Sequence, residues 1–473
     1  MKNHKTLLTL GICLLGVLWA FITLGLLLPK LPWADESRAW SIAFNLPWYQ
    51  LFDLVRYEGH FFLGFILLKG LAWLHIPFPW GMYALNWLIC AGCIYLLLTK
   101  APFSWPIKTA AMFSYPLLIV YPVYARPYGM AVLCLFLLAV FYRERLTKPR
   151  LYACLLFLCA HTVLCGTIGA VAFGCIYAWD MWKKAGKDIL KYTAYRESLL
   201  LCVLTAVCLA VECLGYQRPA YRVLWPVGDF LSSLSWQGSL ECMLFCMFAG
   251  CIFRCKRAVF FLAFSCISWA CVHFYCYTFY FWHEVFFTIY LLVSAWIFME
   301  EQPLPVKSIR EKLITLMIFM ACLMGYIRVS YYWFPNERVN GKEFVQDNWG
   351  VLSRANIIIN NGFEEWAILP YLSQAGIGTV SMYTGLDEMS SKHIRLNYSR
   401  QRWIPSYDKV VSLLKKDRLN VLVITKDFLK QNYDNYLQYE PYQWKLREIA
   451  CSEDTVELCI YEIKPDPKDL RNK

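Results

Sequence analysis

Leu31-Pro-Trp-Ala-Asp35-Glu36-Ser-Arg38 places two adjacent carboxylates directly behind the apolar run Leu7–Leu28. That run is long enough to cross a bilayer as one helix. Lys2, His4 and Lys5 precede it, so the positive-inside rule keeps the N-terminus in the cytoplasm and delivers Asp35 and Glu36 to the outer side. The apolar stretch is longer than a signal-peptide core and no small-x-small cleavage site precedes Leu31, so the span is expected to be retained. An acidic pair anchored at the outer surface, beside aromatic and basic residues, points to proton chemistry or cation binding.

Composition agrees with a membrane protein. Of 473 residues, 59% are hydrophobic and only 17% charged, a balance too apolar for an ordinary soluble chain. The 17% of aromatic residues suits water–lipid boundaries, where a ring is buried and its NH or OH stays wet. The net charge of +12 does not point to nucleic acid, because Lys and Arg gather in short loops between apolar runs and no basic patch with a reader fold appears. All cysteines but Cys451 and Cys459 lie before residue 335, mostly within apolar runs, where a thiol packs as a small hydrophobe. Cys90 and Cys93 have CxxC spacing but sit inside an apolar helix. Cys451 and Cys459 stand in a polar tail and could be bridged if that tail is extracytoplasmic.

The expected fold is an α-helical polytopic membrane protein of about eleven transmembrane helices. The spans are read as 6–29, 81–98, 108–123, 127–142, 151–166, 167–182, 196–214, 239–254, 258–276, 283–300 and 311–331. Basic clusters test the count: Lys100 and Lys108; Arg143 to Arg150; Lys183, Lys184, Lys187 and Lys191; Arg254, Lys256 and Arg257; Lys307, Arg310 and Lys312. Eleven crossings put all of them inside. Phe61–His75 is apolar but short and carries Lys69, so it is laid on the outer surface within one long first loop, residues 30–80. Asp35, Glu36, Asp53, Glu58, His60, Arg126, Asp229, His283 and Glu284 then fall near the outer boundary, with His161 in the outer half of a span. Polar groups there must face a cavity rather than lipid.

Residues 1–334 form the membrane domain and 335–473 a soluble extracytoplasmic domain. Asn356–Asn360, Gly378–Tyr383 and Asn420–Thr425 read as strands, Glu364–Gln374 and Tyr407–Lys416 as helices, and Leu446–Cys451 with Val456–Ile463 as a hairpin. The alternation describes a small α/β layer. The tail contains no P-loop and no GxGxxG.

Three local patterns resemble the glycosyltransferase C superfamily of integral membrane enzymes, which transfer sugars from polyprenyl-phosphate donors at the outer leaflet. They are Asp35-Glu36 just past the first span, Glu58-Gly-His60-Phe-Phe-Leu63, similar to a Gly-His-Pro-Pro-Leu stretch in the same loop, and Tyr124-Ala-Arg126-Pro-Tyr128-Gly at the outer start of a span. Phe61 and Phe62 stand where the family has prolines. The likeness covers residues 1–180 at motif level and is architectural beyond. It implies a first-loop carboxylate as catalytic group, Asp35 first and Glu36 as the alternative, and transfer with inversion.

Sugar transfer from a lipid phosphate needs a general base, stabilisation of the leaving phosphate, and alignment. Adjacent helical residues point about 100° apart, so Asp35 and Glu36 are not expected to touch one hydroxyl together. Arg126, with a planar fork and a place beside a helix N-terminus, suits phosphate. Arg38, Arg56, Arg218 and Arg222 are further outer-side cations, and Glu58, His60, Tyr128, His161, His283 and Glu284 are candidates for contacts with sugar or acceptor. Asp35, Glu58, His60 and His283 include donor types for a divalent cation, but no regular ligand spacing assigns a metal site or any cofactor. Acceptors of this chemistry include a lipid-linked glycan, a cell-wall polymer, a lipid or a protein. The competing class is a membrane transporter or lipid-linked-glycan flippase; inverted repeats would support it, and none is evident. A polysaccharide polymerase and a scaffold with a partner-binding tail are further readings.

Overall fold

The computed structural model describes residues 2–55, 60–213, 247–250, 252, 254–275, 281–302, 309–332, 339–360, 367–377, 379–381, 387–388, 414, 418–427, 429, 445–452 and 457–464. They form two compact units. The first comprises 1–30, 55–64 and 83–333, and the second 31–54, 65–82 and 334–473.

The helical unit contains α1 (Lys2–Leu27), α5 (Trp80–Thr99, from residue 83), α6 (Trp105–Met112), α7 (Tyr121–Val123), α8 (Tyr128–Val140), α9 (Pro149–Ala160), α10 (Leu164–Ala185) and α11 (Thr193–Cys213). Helices Lys256–Tyr275, Phe281–Glu284, Phe286–Glu301 and Ile309–Tyr332 follow. Among the described residues, five helices are long and apolar enough to cross a membrane: Thr9–Leu27, Trp80–Thr99, Leu164–Lys191, Thr193–Glu212 and Trp282–Glu301. Phe286–Glu301 is the buried centre: Trp296 meets the rings of Phe103 and Phe136, and Phe261 bridges Phe173 and Tyr290. By contrast α1 turns Leu14, Val17 and Phe21 outward, and α11 turns out Leu200, Val203 and Val207. Such apolar surfaces suit hydrocarbon rather than water.

Several expected spans differ in detail. The stretch 108–123 is not one helix: α6 stops at Met112, a π-turn runs Pro116–Val120, and α7 is a single turn. Pro116 and Pro122 supply no N–H to a regular ladder. Asn86 satisfies freed carbonyls instead, its Nδ2 donating to Tyr121 O at 2.7 Å and Tyr124 O at 3.2 Å. The break between the fifth and sixth spans falls at 161–163, not 166/167, because Val163 is extended and bridges antiparallel to His60. His161 therefore lies in a connection rather than inside a span. The stretch 283–300 is interrupted at Val285. Most of the expected span 239–254 lies outside the described residues.

The second unit is built on a six-stranded sheet of order β3-β2-β1-β4-β6-β5. Its strands are β1 Ile357–Asn360, β2 Thr379–Ser381, β3 Asp387–Glu388, β4 Asn420–Thr425, β5 Lys445–Cys451 and β6 Leu458–Lys464. β1 runs parallel to β2 and β4, while β5 and β6 form the expected antiparallel pair, bridged by the disulfide Cys451–Cys459. Phe344, Leu352, Ile358, Ile368, Leu372, Val421, Val423 and Ile460 make its core. The expected helix Tyr407–Lys416 lies outside the described residues except for Leu414. The first-loop helices α2 (Ala34–Asn45), α3 (Trp48–Val55, to residue 54) and α4 (Phe62–Trp73, from residue 65) group with this sheet.

Candidate active site

Each unit carries part of the residues singled out in the sequence. In the helical unit, residues 60–63 fold back on the α9–α10 connection: Phe61 N donates to Thr162 O at 3.3 Å and Leu63 N to His161 O at 3.2 Å. Gly64 follows where a Cβ would stand 3.2 Å from the Pro127 ring, a tight contact that glycine avoids as this segment approaches the start of α8. This return brings His60 to Arg126, whose Nη2 donates to His60 Nε2. A guanidinium can only donate, so His60 Nε2 carries a lone pair and its ring is neutral. Burial, then Arg126, then His283 hold the His60 imidazole well below its ordinary pKa. Its Nδ1 is buried and has no hydrogen-bond partner among the described residues.

The Tyr128 ring packs edge-on against both His60 and His283, at 5.8 and 5.6 Å. His283 is buried; Trp282 Nε1 donates to its Nε2 at 3.1 Å, and Trp269 Nε1 to its carbonyl at 3.2 Å. Glu284 closes the same short helix, half-buried. Pro127 is the N-cap of α8, so Arg126 stands immediately outside a helix N-terminus, as its sequence context predicts. Lys30, at the end of α1, lies 4.7 Å from the Tyr83 ring centre and 5.6 Å from that of Tyr124.

His161 is only 1% exposed, lies between the rings of Phe62 and Phe157, and meets Glu212 through Nδ1 at 3.1 Å. Sequence reasoning picked His161 but not Glu212, Lys30 or Asn86. Glu212 closes an apolar helix 51 residues away, and no local pattern announces the pairing. Arg56, Glu58, Arg218, Arg222 and Asp229 lie outside the described residues.

Asp35, Glu36 and Arg38 belong to the sheet unit, on α2. Glu36 is 0% exposed and its carboxylate accepts from Trp33 N at 2.8 Å, capping the helix it begins. Asp35 is half-buried, and Arg38 follows one turn later on the same side. The two neighbouring carboxylates thus have different surroundings. One is committed to the helix start, and the other is half-buried beside it.

For a metal, His60 has its Nε2 lone pair turned to a cation already, so an ion there would have to displace Arg126. Among the described residues, the one trio of ligand-type side chains with donor atoms within 4.8 Å of each other is Glu448, Cys451 and Cys459, and its sulfurs are joined to each other.

No family model matches the chain, and no curated protein does. Two solved structures match it: ArnT from Cupriavidus metallidurans bound to undecaprenyl phosphate, and the same protein in the apo state. Each superposes with a TM-score of 0.55 at 11% identity, covering 96% of this chain and 98% of the other. The chain has the ArnT fold. The likeness runs across residues of both units.

Proposed function

We propose that the chain is an integral membrane glycosyltransferase that moves a sugar from a polyprenyl-phosphate donor to an extracytoplasmic acceptor. The observation that carries this reading is the ArnT fold over 96% of the chain, since one of the two ArnT structures holds undecaprenyl phosphate. ArnT is a glycosyltransferase of the superfamily whose motifs the first 180 residues resemble.

Asp35 is the general base that takes the acceptor hydroxyl proton as oxygen attacks the anomeric carbon. The C–O bond to phosphate breaks on the opposite face, which inverts the centre, and the lipid phosphate leaves with the electron pair. Arg126 binds that phosphate, presenting a planar fork that can donate two charge-assisted hydrogen bonds. Tyr128, His60, His283 and Glu284 line the sugar and headgroup, and Arg38 steadies the acceptor side. Glu36 holds the helix and is not the base.

Depth supports a lipid carrier. α8 and α9 have 13 and 12 residues, so they rise only about 18–20 Å against a hydrocarbon thickness of about 30 Å. With Arg143, Arg145, Lys148 and Arg150 at one water boundary, Arg126 and His161 would stop short of the other, at a depth that a membrane-embedded headgroup reaches. The Cys451–Cys459 disulfide fits an oxidising, extracytoplasmic location for the tail. The donor is a hexose or pentose linked to polyprenyl phosphate, and the acceptor one of the glycan, polymer, lipid or protein classes named above.

Purified protein incubated with a panel of polyprenyl-phosphate sugars should consume one of them. Asp35→Asn should lower that turnover at least about 100-fold, the scale of general-base catalysis, while donor binding persists. Normal turnover by this variant would reject Asp35 as the base.

A further inference from the structure

We infer that the C-terminal sheet unit exists to hold the helix that carries Asp35, with Lys69 as the positioning residue at that helix's far end. This rests on the reading of Asp35 given above and assigns a role to the tail.

α2 has 12 residues, of low mean hydrophobic content, and a helix of that length is marginal in water by itself. It is gripped at three levels. At its start, Ala34 is buried with Leu369, and Trp33 packs on the pair. In its middle, Trp40 is fully buried 5.7 Å from the Phe78 ring, which stands edge-on to Tyr371 at 5.4 Å. At its end, Asn45 Nδ2 donates to Ser373 Oγ at 2.9 Å across 328 positions of sequence. Leu369, Tyr371 and Ser373 all belong to the one helix Leu369–Gln374, which feeds the sheet core through Ile368 and Leu372.

Lys69 completes the clamp. It is a lone cation in the apolar α4, an expensive placement unless the ammonium is used. Its Nζ donates to Ala43 O at 3.0 Å and to Leu46 O, and lies 5.5 Å from the centre of the Trp48 ring. The last carbonyls of a helix are unpaired and bear the negative end of its dipole, so a cation there fixes where the helix ends. The roll and tilt of α2 then set the direction of the Asp35 carboxylate at its other end, where a displacement of about 1 Å can cost about 100-fold in rate.

The test uses full-length protein in lipid nanodiscs. Hydrogen exchange of residues 34–45 is measured for wild type, Lys69→Met, Lys69→Arg and Ser373→Ala, alongside kcat and KM on the polyprenyl-phosphate sugar that wild type consumes. Lys69→Met should speed exchange within 34–45 and lower kcat about 10-fold or more with KM within about twofold. Lys69→Arg should restore most of the rate, and Ser373→Ala should show the same split at about threefold. Unchanged exchange in both Lys69→Met and Ser373→Ala overturns the clamp, and faster exchange with normal kcat overturns its catalytic role. Loss of turnover in Asp35→Asn with normal turnover in both clamp variants rejects this inference alone. Turnover that survives Asp35→Asn rejects the base assignment and the inference with it.

Discussion

The helical unit has charged side chains at both ends of α8, and the partners described for them differ. Beyond its C-terminus, Arg145 holds Asp180 at 2.6 Å, Arg257 reaches both Asp180 and Glu301, and the Tyr142 hydroxyl donates to Glu301 at 2.5 Å. Asp180 is 4% exposed. Arg143 reaches Glu300 in the same way. Cations there meet carboxylates, and the pairs tie α10 to the helices Lys256–Tyr275 and Phe286–Glu301. Before the N-terminus of α8, Arg126 meets an imidazole that must be neutral to receive it. A cation answered by a carboxylate has spent its field on the fold.

The contrast can be broken most sharply at Asp180. Asp180→Ala removes the buried carboxylate shared by two half-buried guanidinium groups, one of which keeps Glu301, and should cost about 3 kcal/mol of stability. Thermal unfolding in detergent checks this, and a melting midpoint equal to wild type would remove the structural role assigned to that end. Next in size, Arg126→Ala should weaken binding of a polyprenyl-phosphate donor about 10–100-fold, the scale of a hydrogen bond to a charged group, while the melting midpoint moves little. A large fall in midpoint with unchanged donor affinity would make the two ends alike.

A smaller effect concerns pH. His60 is held below its ordinary value of 6.5, so the unfolded chain binds its proton first as pH falls. Stability linked to His60 is therefore present above that value and lost progressively below it. The midpoint should fall between pH 7 and pH 5, and His60→Gln should flatten the curve; a slope unchanged by that variant would contradict the neutral imidazole. The smallest effect is expected at the exposed Glu144–Lys148 pair, where Lys148→Ala should change stability by less than about 0.5 kcal/mol.

Much of this was legible in the chain. The first span, the acidic pair behind it, the Arg126-Pro127 entry to α8 and the strand Asn420–Thr425 all follow from local patterns that need no partner. The broken stretch 105–123 was less so, because a helix and a π-turn share the same apolar composition and Pro116 alone does not say which carbonyls Asn86 will collect. The ion pairs of Asp180 and Glu301 were hidden for a related reason: acids and bases far apart in sequence carry no spacing signal. The same holds for His161 with Glu212.

Hydrophobic run length and charge placement determined that this is a membrane protein with an acidic first loop, because transfer of apolar and charged groups between water and lipid depends on composition over one helix length. Tertiary structure alone decided that the loop belongs with the distant tail, and which of two adjacent carboxylates is consumed by a helix cap. The first depends on packing between Leu369–Gln374 and α2, which no local stretch encodes, and the second on where α2 begins, which sets the backbone N–H that Glu36 meets.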